Sequence, residues 1–220
     1  MHAAMLLLAD GRFPAGGHTH SGGMELVIAD GAVHDAASMK EFLAGRLRTQ
    51  GLVQAALAAA ACGTDAAGHA DLDAHASARH PAAVQRRVSR TQGRALVRAG
   101  RACWPTPDLD RLAATPGGPH QAIALGVVAA AAGLRPQEVA LVSALGAVQG
   151  PATAAVRLLG LDPYAVHRVL ADLAGDCQAV AETAALAARG SFWDLPADTG
   201  PRLDIDAVRH EQWEVRLFAS

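Results

Sequence analysis

Helical punctuation without a strand signal constrains this chain more than any other feature. Nowhere in its 220 residues do β-branched and aromatic side chains alternate for more than a few positions, whereas alanine-rich segments recur between prolines, glycines and capping residues. The pattern predicts an all-α protein: a single compact helical domain of about seven to ten helices over 1–190, then an aromatic-containing, partner-docking C-terminal tail over 191–220. With 51% hydrophobic but only 4% aromatic residues, alanine must fill much of the core, so the helices have to pack closely.

The first firm helix start is "SMKE", where Ser38 can accept from the backbone at Glu41 and Glu41 can reach back as a capping box. That helix is expected to run to about Cys62, with Gly63 as its stop. Residues 63–80, "GTDAAGHADLDAHASARH", read as a loop followed by a short helical piece. Pro81 suits a first helical position, and its helix continues to about Cys103 with Val84, Val88, Ala95 and Ala99 as the apolar line. "WPTPDLDRLAATPGGP" carries four prolines and reads as a long surface loop. Further helices are expected over 119–132, over 136–149 continued through 151–159, and over 163–188. Pro136 and Pro163 mark starts, and Asp162 caps the last. Gly150 and Pro151 should kink or split the middle one, because proline removes a donor and clashes with the preceding turn. The last thirty residues lack helical periodicity until Asp206, yet they hold Phe192, Trp193, Trp213 and Phe218, half of the eight aromatics. Disordered tails are poor in such residues, so this one is expected to dock onto something.

The formal charge of −2 gives no general attraction to nucleic acid or to an anionic membrane. Three scattered cysteines, Cys62, Cys103 and Cys177, form neither a disulfide framework nor a clustered zinc site, which fits a reducing cytoplasm. The opening "MHAAMLLLADGR" has the pattern of neither a signal peptide nor an anchor, and the apolar run 122–134 is too short to span a bilayer.

The segment "FPAGGHTHSGGMEL" concentrates the ambiguous chemistry. His18 and His20 form an H-x-H pair, with His2 near the same end and Glu25 five residues on, a donor set that nickel, zinc or copper accepts but without further ligands at defined spacing. Its glycines lack the G-x-x-x-x-G-K-[ST] context of a phosphate loop. The better reading is a bend: Pro14 stiffens the entry, glycines supply the turn, Ser21 caps the next helix and Glu25 supports its first turn. Arg87, Arg90, Arg94, Arg98 and Arg101 recur at intervals of 3, 4, 4 and 3, and so form one stripe beside the apolar line. Such a stripe is either a solvated face or a docking surface for an acidic partner. No catalytic grouping can be assembled from His120, His167, His210 or the cysteines, which argues against an enzyme.

Three segments together resemble the UreF family of urease accessory proteins. The opening is similar to that family's early pattern at Pro14, Gly16, Ser21, Gly23 and Glu25, although His18 stands where the pattern has Phe and Met24 where it has Leu. The middle resembles it at Ala155, Arg157 and Leu158, and the end at His210, Glu211, Arg216, Leu217, Phe218 and Ser220. The resemblance implies a non-catalytic, all-helical, cytoplasmic homodimer that joins the UreD/UreH scaffold protein and the GTPase UreG to deliver nickel to apo-urease. It implies no tightly bound cofactor, with nickel held only transiently. In that role the tail, with Trp213, Leu217 and Phe218, orders against the UreD/UreH-type partner. Arg87, Arg90, Arg94 and Arg98 become candidate contacts for the GTPase or the second subunit. The competing expectation is a small metal-binding protein that uses His18 and His20.

Overall fold

Proline and aspartate set the plainest helix starts. Pro136, Pro163 and Pro107 each occupy a first helical turn, and Asp162 accepts from the Tyr164 N–H at 3.1 Å. The computed structural model describes residues 3–198, 200–214 and 216–218, excepting the His18 side chain. Among them the chain forms α1 (Ala3–Ala9), α2 (Met24–Ala29), α3 (Ala36–Arg46), α4 (Leu52–Gly63), α5 (Gly68–Ala78), α6 (Ala83–Cys103), α7 (Pro107–Ala113), α8 (Gln121–Ala131), α9 (Pro136–Leu159), α10 (Pro163–Asp172), α11 (Ala174–Ala187) and α12 (Pro201–Glu211). A π turn, Leu47–Gly51, joins α3 and α4 into one rod, which makes eleven helices among the described residues, with no strand. The all-α expectation holds.

The extra helices sit where the sequence reads as loop. Thr106 accepts from the Leu109 N–H and Pro107 fills the first turn, so α7 forms inside the four-proline segment. Residues 68–78 make a full eleven-residue helix rather than a short piece. The capping box of α3 is Asp35 with Ser38, one turn earlier than "SMKE" suggests, because the Asp35 carboxylate accepts from the Ser38 N–H at 2.8 Å. Residues 163–188 divide at Leu173 into α10 and α11.

Helix α9 runs unbroken through Pro151, contrary to the expected split. Proline leaves the Ala147 carbonyl without its helical donor, and the Arg46 Nε–H of α3 takes that place at 3.2 Å. By length and composition α9 could cross a membrane, yet over half of its apolar window is buried inside the protein. It packs against α11, α4, α2 and α3, while α8 lies between α4 and α6.

Small residues let these helices touch. Ala55 to Ala61 of α4 are all buried, and a Cβ on Gly126 of α8 would strike the Ala58 carbonyl. A Cβ on Gly100 of α6 would run into Val128 in the same way. The buried face of α6 accordingly passes through Gly93, Leu96, Val97 and Gly100; of the expected line, Val84 and Ala99 are buried, whereas Val88 and Ala95 are half-buried.

Candidate functional site

The sequence assigns Glu25 to the first turn of a helix, and the fold gives it a larger task. The Ser21 hydroxyl accepts from the Glu25 N–H at 3.4 Å, while Gly23, at φ 91°, turns the chain into α2. Gly16, at φ 76°, begins the preceding 3₁₀ turn and Pro14 is exposed at the bend. Its carboxylate is thereby aimed at the far end of the chain. The Glu25 carboxylate accepts from the His210 Nε2–H at 2.7 Å and from the Leu217 and Phe218 backbone N–H groups at 2.8 and 3.2 Å. A carboxylate only accepts, so the proton of that His210 contact lies on Nε2. Glu25 and His210 are both buried, so this is a charge-assisted clasp inside the protein rather than a surface ion pair.

Helix α12 is tied down by further charges. Arg209 and Arg202 of α12 reach Asp30, at the end of α2, at 2.7 and 3.1 Å, and both also contact the buried Asp206. The Arg209 hydrogen bond, with further help from Arg202, holds the Asp30 carboxyl below its usual range. Glu211 pairs with Arg87 of α6. Because polar groups face inward, apolar ones face out: Ile205 is 58% exposed, Val208 43% and Leu217 76%. Trp213 tilts over the His210 ring with centroids 5.2 Å apart, Arg216 is exposed, and Phe218, unlike its neighbour Leu217, turns inward.

The arginine stripe divides into unlike parts. Arg90 is inward, bonding Asp73 at 2.9 Å, the Ser77 hydroxyl at 3.1 Å and the Gly118 carbonyl. Arg94 spans to the Gly117 carbonyl at 2.5 Å, and Arg101 pairs with Asp110 at 2.8 Å. Arg98 stands exposed.

Arg90 belongs to a polar centre that the sequence does not announce. Asp73 also accepts from the His120 N–H at 2.8 Å, and the fully buried His120 ring lies between the Ser77 and Ser89 hydroxyls at 2.9 and 3.0 Å. Ser77 spends its hydrogen on the Asp73 carbonyl at 3.1 Å, so His120 Nε2 donates to it and Nδ1 accepts from Ser89. His80 stacks on His120 at 5.1 Å and bonds Gln54 at 2.8 Å. Burial pushes the His120 imidazole down to about 4 and lowers His80 as well. The only hint in the sequence is polar residues, Ser89 above all, on a helix face that is otherwise apolar.

His20 lines a cavity beside the N-terminal bend, whereas His2 and the His18 side chain lie outside the described residues. No group of three or more His, Cys, Asp or Glu side chains placed to hold a metal occurs among the described residues.

Fold and site together define an all-helical scaffold whose C-terminal segment is clasped onto its own domain and turns an apolar face outward. The UreF family model matches residues 33–174. The chain is 45% identical to the urease accessory protein UreF of Mycolicibacterium vanbaalenii, covering 99% of this chain and 98% of that one. Identity is 43% to the Mycobacterium marinum protein and 41% to that of Mycobacterium tuberculosis, each with 99% of this chain and 98% of the relative covered. The chain belongs to the UreF family.

Proposed function

We propose that this chain is a non-catalytic assembly factor of urease maturation. It works in the cytoplasm as a homodimer that joins a UreD/UreH-type scaffold protein and the GTPase UreG so that nickel reaches apo-urease. It keeps no cofactor of its own and meets nickel only in passing. Family membership supports the maturation role. The observation that carries the docking role is the face formed by Ile205, Val208 and Leu217, exposed on a segment held to its domain by charged groups. A helix held only by its apolar side would hide these residues; large apolar side chains exposed in this way fit a protein partner. Arg98 and Arg94 offer a second, cationic contact for the GTPase or the second subunit.

Co-expression with the neighbouring urease accessory proteins tests the reading. Deleting residues 211–220, or introducing I205E with V208E, should remove the UreD/UreH-type protein from the purified complex while the helical circular dichroism persists. Unchanged co-purification of both variants would overturn the assignment of this face.

A further inference from the structure

The π turn that joins α3 to α4 builds a second polar feature, which reaches the inner side of α12. Two adjoining cavities, of about 500 and 180 Å³, share a wall made by Arg46, Gln50 and Gln54 along the rod, Gln92 of α6, Gln121 of α8, and His20. The extra residue of a π turn re-aims the side chains around it and recurs at functional sites. Here Arg46 immediately precedes that turn and Gln50 lies within it, and the Arg46 Nη1–H donates to Gln50 Oε1 at 2.7 Å.

The chemistry of this wall is one-sided. Arg46 gives Nε–H to the Ala147 carbonyl and Nη1–H to an amide oxygen, both neutral acceptors, while Nη2 lies against Gly22. The carboxylates lining the two cavities are already committed: Asp10 to Arg12 at 2.8 Å, Asp206 to Arg202 at 2.8 Å, and Glu211 to Arg87. Arg46 is therefore a half-buried guanidinium facing these cavities with no counter-ion among the described residues, and desolvation pulls its pKa down to about 10. Partial desolvation of a charge without a partner is costly, and around it stand amide groups able to donate. Repair of the carbonyl left by Pro151 explains one of its hydrogen bonds but none of the charge.

We propose that the space against Arg46 is a binding site for a small oxyanion, held by the guanidinium and by the amide groups of Gln50, Gln92 and Gln121. Guanidinium and amide N–H groups match oxygen acceptors in a plane, so carboxylate-like, phosphate and sulfate ions share the required chemistry. Occupancy ties α3 to the facing helices α6 and α8. This site stands independently of the accessory role.

Thermal unfolding of the full chain, at fixed ionic strength, against rising phosphate, sulfate or bicarbonate tests it, with chloride as the control. At least one oxyanion should raise the midpoint saturably and chloride should not. In R46Q the saturable shift should vanish, and in Q92L, which leaves Arg46 and its carbonyl contact intact, affinity should fall about tenfold. If R46Q does not fold, Q92L and titration calorimetry on the wild type decide. The proposal is overturned by equal shifts with chloride, by no saturable shift in the wild type, or by wild-type affinity in Q92L.

Discussion

The contact between α4 and α8 and the contact between α12 and α2 are held by opposite means. In the first, Ala58 and Gly126 bring two backbones together with almost no side chain between them. In the second, Glu25 and Asp30 hold histidine, arginine and backbone N–H groups across the gap. Close packing of small residues cannot be loosened by degrees, because a close-packed interior tolerates neither voids nor inserted atoms. A polar clasp can open, since water replaces the hydrogen bonds it loses and only the desolvated pair resists. The difference teaches that the alanine core is fixed architecture, whereas the C-terminal segment is held by contacts that can open.

Breaking the first contact should have the largest effect. In G126L the new side chain meets the Ala58 carbonyl and Ala61, and the expected loss is at least about 3 kcal/mol in denaturant unfolding. A near wild-type midpoint would mean that the helices are not as close as described.

Acid should act next, through the polar centre between α5, α6 and α8. Burial pushes His120 down to about 4 from 6.5, with Asp73 on α5, Arg86 and Arg90 on α6, and the stacked His80 as its charged or titratable neighbours. The unfolded chain then binds the proton first as pH falls. Stability from this group is intact above pH 6.5 and is lost between 6.5 and 4, by up to about 3 kcal/mol. His80, also lowered by burial, adds in the same direction. Unfolding midpoints measured from pH 7 to 4.5 should fall less steeply in H120Q than in the wild type; parallel slopes would remove His120 from the account.

The smallest effect belongs to the exposed pair between α6 and α12. R87A removes the Glu211 contact but leaves the Glu25 and Asp30 ties, so stability should change by less than about 1 kcal/mol. A loss above that would make the stripe, rather than the clasp, the main hold on α12.

What the sequence discloses follows the range of the interactions. Helix starts at Pro136, Pro163 and Asp162 are local events and can be read directly. Continuity of α9 through Pro151 cannot, since the repair comes from Arg46, 101 residues away. The motif residues Pro14, Gly16, Ser21, Gly23 and Glu25 are visible as a bend, but the partners of Glu25 lie 185 to 193 residues on, so its clasp is invisible until the chain closes. The arginine stripe is correct as a spacing, yet spacing does not distinguish inward Arg90 from outward Arg98, because Asp73 and Gly118 come from other elements. Aromatic content in the tail signals docking, and the structure adds that Phe218 docks at home while Leu217 faces out.

The most direct test of the clasp is amide hydrogen exchange on the wild type and on E25Q. Losing the charged acceptor for His210, Leu217 and Phe218 should raise exchange over residues 201–218 by at least about tenfold, while α4 and α8 keep wild-type protection. Unchanged exchange over 201–218, or an equal rise in α4 and α8, would contradict a C-terminal segment held separately from the core by Glu25.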